Sequence, residues 1–185
     1  MKLLLLVGSM REGSFSKRLA ERCTQTLQSG DVSATCVDLH AFATPIYNAD
    51  DEQANGIPET IRNLKSLIAS HDGLAVVSPE YNGFPPPLLV NLFSWCSRKA
   101  PNESEMVFAG KPVMILASSP GPLGGVRVMP RLRDMLCELG CIVMPGFFTL
   151  PGAGSAFQED GSFVNPDKQA ALDVRCQAFI GFVKR

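Results

Sequence analysis

The sequence predicts a doubly wound α/β protein, a parallel β-sheet covered by helices on both faces, and three observations predict it. Residues 3–7 (Leu3, Leu4, Leu5, Leu6, Val7) form an unbroken apolar run. A strand with no polar member has no face for water, so it belongs inside a sheet covered on both sides. Further short apolar runs, at 73–78, 113–117 and 141–144, alternate with stretches of helical periodicity, the pattern of a parallel sheet with helical crossovers. Several runs end abruptly in loops of Gly, Ser, Pro and Asn, at 8–16, 79–84 and 118–125.

The 185 residues, 45% hydrophobic and 19% charged, suffice for one globular domain spanning 1–185. A net charge of -1 argues against nucleic acid or an anionic membrane as the main partner. The opening apolar run is broken by Gly8, Arg11 and Glu12, too early for a signal peptide, and no stretch approaches transmembrane length. A cytoplasmic protein is expected. Six cysteines lack a Cys-x-x-Cys pair, and His40 and His71 stand far apart, so no metal site is expected. Cys137 and Cys141 read as small thiols beside Leu136 and Leu139, and nothing local supports a Cys nucleophile with a His base.

Taken in order, a first helix is expected over residues 17–28, a turn at Ser29-Gly30-Asp31 and a second strand over 32–39. Residues 41–51, with Pro45 and two aspartates, read as a long surface connection. Pro58 suits the first position of a helix reaching about Ser70, with Ile61, Leu64, Leu67 and Ile68 on one side. The third strand follows at 73–78. The helix expected at 88–99 is apolar on more than one face, which fits either a subunit interface or burial under the chain's own loops. A fourth strand at 113–117, a helix over 126–139, a fifth strand from Cys141 to Met144, a loop-like stretch over 145–166 and a final helix at 167–183 complete the chain.

Right-handed crossovers and five strands give the order 2-1-3-4-5, a flavodoxin-like three-layer α/β/α sheet whose ligands bind at the carboxyl ends of the strands, beside the switch point. The loops at 8–16, 79–84 and 118–125 then meet at one edge. The first carries three hydroxyls (Ser9, Ser14, Ser16), the guanidinium of Arg11 and a helix N-terminus, a set that suits a phosphate. A bare helix cap with a solvated arginine is the other reading of that stretch. Its spacing is neither Gly-x-x-x-x-Gly-Lys-Ser/Thr nor Gly-x-Gly-x-x-Gly, so a single terminal phosphate fits better than a triphosphate or a dinucleotide. The other two loops offer backbone donors and acceptors beside flat apolar surface. A phosphate at one end and a planar hydrogen-bonding ring at the other describe flavin mononucleotide (FMN). Taken singly, Tyr81 reads as a surface aromatic and Glu80 as a solvated charge or a cap of the next helix.

These residues resemble the NADPH-dependent FMN reductase family, the flavodoxin-like quinone, chromate and azo-dye reductases. The match runs through Gly8-Ser9-x-Arg11-x-x-Ser14-x-Ser16, Pro45-x-Tyr47-x-x-Asp50, Ser78-Pro79-Glu80-Tyr81-Asn82-Gly83, Pro85, Asn91 and Trp95, then Ser118, Gly121, Gly124 and Gly125. It covers about residues 1–145, and little after Phe147 matches. Ser16 stands where the family often has Asn, and Ser94 where it often has Asp. The resemblance implies that Ser9, Arg11, Ser14 and Ser16 hold the FMN phosphate. It implies that Pro79, Glu80, Tyr81, Asn82 and Gly83 line the flavin ring together with Ser118 and Ser119. It also implies a homodimer or homotetramer with the flavin near a subunit boundary.

The expected activity is hydride transfer from NADPH or NADH through FMN to a quinone, flavin or similar small electron acceptor, with the flavin carrying the chemistry and no catalytic side chain required. Glu80 or Tyr81 is available as a proton relay, and Arg127 as a contact for a 2′-phosphate or a plain surface charge. A flavodoxin-type electron carrier and a flavin-free sensor of the same fold are the alternatives.

Overall fold

The computed structural model describes residues 1–28, 30–100, 103 and 106–185. Ser29 of the expected 29–31 turn lies outside the described residues. Strand β1 (Lys2–Val7) is central, paired in parallel with β2 (Ser33–Asp38) on one side and β3 (Gly73–Ser78) on the other. Strand β4 (Pro112–Ser118) pairs with β3, and β5 (Ile142–Val143) with β4, so the order β2-β1-β3-β4-β5 is the expected one.

Alternate residues of the central strands feed two cores. Leu4, Leu6, Leu74, Val76, Val113 and Ile115 pack with helices α3 (Glu59–Ala69), α4 (Pro87–Cys96) and α5 (Val128–Glu138). Leu3, Leu5, Val7, Ala75, Val77, Met114 and Leu116 pack with α1 (Phe15–Leu27) and α6 (Pro166–Val183) on the other face. Burial on both faces explains why these strands read as continuous apolar runs.

Three expectations need correction. The fifth sheet position holds two pieces, since β6 (Phe148–Leu150), inside the stretch read as loop, pairs with Leu116, Ala117 and Ser118 beyond β5. The break falls at Pro145-Gly146, where Pro145 has no N–H for the ladder and Gly146 takes φ 79°. Arg175 of α6 fills it, donating to the carbonyls of Pro145 (2.7 Å), Gly146 and, more distantly, Met144. Arg175→Ala should cost about 1–3 kcal/mol of unfolding free energy in a denaturant titration, because those carbonyls lose their donor.

The 41–51 connection is also more ordered than expected. It holds a 3-10 turn (Leu39–Phe42) and helix α2 (Ala49–Asn55), capped by Asn48 Oδ1 on the Asp50 N–H (3.0 Å). Asp50, Asp51 and Glu52 favour that N-terminus electrostatically, but α2 buries no side chain and therefore shows no apolar period. Pro58 stands at the cap of α3 rather than inside it. Of the two readings of α4, the structure shows the one in which the chain's own segment covers the helix. Asn91 Oδ1 accepts from the Tyr47 N–H (2.8 Å), and Trp95 Nε1 donates to Pro45 O (3.0 Å), fastening the 44–47 segment over the helix. Ser94, the departure from the family pattern, donates to Val90 O within its own helix.

Candidate active site

The carboxyl ends of β1, β3 and β4 open into one cleft of about 260 Å³. One end of it is built by the chain's turn from β1 into α1. Ser9, Ser14 and Ser16 are only 4%, 3% and 2% exposed there. Ser14 caps α1, its Oγ accepting from the N–H groups of Ser16 (3.2 Å) and Lys17 (3.4 Å). The Ser9 hydroxyl lines the cleft and has no hydrogen-bond partner among the described residues. Arg11 donates to Gly13 O (3.2 Å) and lies 4.8 Å from the Phe15 ring centroid, with no carboxylate paired to it among the described residues. An unspent cation, an unpaired hydroxyl and a helix N-terminus at one spot are the groups that could hold an anion.

The third loop joins the first through a buried bond between the hydroxyls of Ser16 and Ser118 (3.1 Å). Ser119 lines the cleft beside it, and its backbone is anchored from behind, its N–H donating to Leu150 O (3.1 Å) and its carbonyl accepting from the Ala153 N–H (3.0 Å). The C-terminal third of the chain thus braces the site. Gly124 makes this close packing possible: it takes φ 59° and leaves no room for a Cβ, which would lie 2.6 Å from the Pro151 nitrogen.

From the second loop, Pro79, Glu80 and Tyr81 line the cleft. Asn82 and Gly83 do not, because both take positive φ (53° and 80°) at the tip of a tight turn in which Tyr81 and Phe84 exchange backbone hydrogen bonds (3.0 and 2.9 Å). Glu80 is not a free acid. Its side chain is 7% exposed and accepts from Arg127 Nη2 (2.6 Å) and Nε (2.8 Å) and from the N–H groups of Arg127 (3.1 Å) and Val128 (3.3 Å). It caps α5, 47 positions on, rather than the next helix α4, and Arg127 is engaged by it. The cleft brings together nine of the eleven residues expected from sequence and adds Phe15 and Pro120. Phe15 is legible only as an aromatic between two site serines.

On the segment fastened over α4, the Tyr47 phenol donates to Glu52 Oε2 (2.8 Å), which raises its pKa, and Arg98 pairs with the same carboxylate (2.9 Å). Burial works to raise the pKa of Glu52, but the bonds from Tyr47 and Arg98 outweigh it and hold the group below its ordinary value. No three His, Cys, Asp or Glu side chains among the described residues gather into a metal site.

The fold and its cleft define a flavodoxin-like α/β protein with a cleft at the switch point, where such sheets bind their ligands. The chain belongs to the NADPH-dependent FMN reductase family, whose model matches residues 1–155. It is similar to a quinone reductase of Escherichia coli (strain K12), 36% identical over 191 residues, which span 100% of this chain and 96% of that enzyme. It is 31% identical to a 2-hydroxy-1,4-benzoquinone reductase of Burkholderia sp over 186 residues, 100% of this chain and 97% of that one. Among solved structures it resembles FerB, a flavoenzyme NAD(P)H:(acceptor) oxidoreductase from Paracoccus denitrificans, with TM-score 0.82, 26% identity and coverage of 99% and 97% of the two chains. These alignments reach the chain's end, so the likeness does not stop near Phe147. The protein is therefore an oxidoreductase that works with FMN and a reduced nicotinamide.

Proposed function

We propose that FMN occupies the cleft with its phosphate at Ser9, Arg11, Ser14 and Ser16 and its ring along Pro79, Glu80, Tyr81, Ser118 and Ser119, and that the acceptor is a quinone. The observation that carries this reading is the unpaired Arg11 and Ser9 beside the α1 N-terminus, opening onto a flat wall from a different strand. Held there, FMN would supply two-electron hydride chemistry between a reduced nicotinamide and the acceptor. The chain binds and orients. Ser14 is held by its capping bonds, the Ser16–Ser118 bond fixes the distance between two loops, and no side chain must move a proton. Asn82 and Gly83 act at the tip of the turn, shaping the rim of the site rather than touching the ring. The relatives' names support the quinone, and family membership favours turnover over the electron-carrier alternative.

Arg127 is committed to Glu80, so it offers no free cation for a 2′-phosphate. NADPH and NADH should therefore reduce the flavin with kcat/KM values within roughly tenfold of each other, since tenfold corresponds to about 1.4 kcal/mol, less than a charge-assisted bond contributes. Anaerobic stopped-flow mixing with each nicotinamide, followed by a benzoquinone, checks both points. Loss and then return of the oxidised-flavin absorbance supports the reading, and a flavin that stays oxidised overturns it.

We further read residues 1–185 as one domain, supported by α6 burying Leu172, Cys176 and Phe179 in the same core as β1. The protein is proposed to work in the cytoplasm, where its six free cysteines suit a reducing compartment; no helix among the described residues is long and apolar enough to cross a membrane. It is proposed to form a homodimer or homotetramer. Ile46 (84% exposed) and Val90 (42%) support this, being apolar side chains left uncovered on the segment and helix that Asn91 ties together. Sedimentation should show an oligomer that Val90→Glu shifts toward monomer; a monomeric parent protein would contradict the assembly.

A further inference from the structure

Helix α5 begins without a cap of its own. Arg127 at its cap position makes no side-chain capping bond, and the first turn holds no acidic residue. Glu80, 47 positions earlier, does both jobs. One carboxylate oxygen takes the two opening N–H groups and the other takes the Arg127 guanidinium. One turn further along α5, Arg131 Nη1 donates to Gly83 O (2.9 Å) and to Arg127 O (2.7 Å), and its guanidinium lies 4.3 Å from the Phe84 ring centroid. The helix therefore grips the 79–84 loop at Glu80, just before its tight turn, and at Gly83 within the turn. Glu80 at the first grip and its neighbours Pro79 and Tyr81 form this loop's part of the wall proposed to face the flavin ring.

We propose that Arg127 and Arg131 are positioning residues that act through Glu80 and Gly83 to set the ring-facing wall of the cleft, an inference that rests on the FMN reading above. Glu80 is nearly buried while Arg127 is 63% exposed. Removing the arginine therefore opens no large cavity, but it leaves a carboxylate inside the protein with only two backbone donors. The relief available to that carboxylate is to rotate toward water, which carries Pro79 and Tyr81 with it. Arg11 acts differently, on the phosphate end alone.

The two ends of the cleft are separable with two ligands, FMN and riboflavin, which share the ring but differ in the phosphate. Fluorescence titration of the flavin-free full chain with each should show Arg127→Ala weakening both flavins by a similar factor, roughly tenfold, the scale of coupling through such networks. Arg127→Lys, which keeps one charged donor, should recover part of the loss, and E80Q, which keeps the shape but not the charge, should weaken both flavins like Arg127→Ala. E80Q also serves if Arg127→Ala does not fold. Wild-type affinity for both flavins in E80Q and Arg127→Ala, or a loss confined to FMN, overturns the positioning role. A parent protein that binds neither flavin instead overturns the FMN reading itself, so the two failures are distinct.

Discussion

Arg11→Ala is expected to weaken FMN binding by roughly 10- to 150-fold, because a hydrogen bond to a charged group contributes about 1.5–3 kcal/mol. The structure makes this a clean experiment. Arg11 has one hydrogen bond, to Gly13 O, and one ring contact, to Phe15, and it is exposed. Its loss should thus change unfolding free energy by no more than about 0.5 kcal/mol, the usual range for surface positions away from structural features. Nearly all of the effect must then appear in the flavin dissociation constant. An intact melting curve with a displaced binding isotherm is the expected pair of results.

Gly124→Ala should produce the largest effect on stability. A left-handed backbone costs a residue with a Cβ about 1–2 kcal/mol, and forcing new atoms into a packed site adds about 1–3 kcal/mol. The atom in the way is backbone, the Pro151 nitrogen at 2.6 Å, which cannot swing aside like a side-chain tip. A total of about 2–5 kcal/mol corresponds to a melting temperature lower by roughly 5–15 °C in a chain of this size. Because Ser119 is hydrogen-bonded to Leu150 and Ala153 on the same segment, the displacement should also reach the cleft and weaken FMN binding. Gly56, which has positive φ but nothing within 4 Å of a Cβ, is the control, and Gly56→Ala should show the backbone cost alone.

What the sequence made legible was whatever the chain writes locally. Leu3 to Val7 announces a buried central strand because every position faces a core, and residues 73–78 match β3 end to end for the same reason. The serines of the first loop were legible because a strand, a turn and a helix cap follow one another directly. Helix α2 was hidden because it is polar all round, and β6 because Pro145-Gly146 looks like the end of a strand when it is a break in one. The long-range ties were out of reach. Ser16 meets Ser118 across 102 positions, and Glu80 caps a helix 47 positions away, and neither partner carries a local sign of the other. The residue type at Glu80 suggested a proton relay or a cap of the next helix, whereas its neighbours in space make it the cap of α5.

The account stands on an anion being held where β1 gives way to α1, and the comparison of FMN with riboflavin in the parent protein and in Arg11→Ala tests that most directly. It predicts that the parent binds FMN at least tenfold more tightly than riboflavin, roughly the contribution of one charge-assisted contact, and that Arg11→Ala removes most of this advantage while leaving riboflavin affinity unchanged. Equal affinity for the two flavins in the parent, or an FMN advantage untouched by Arg11→Ala, would contradict it.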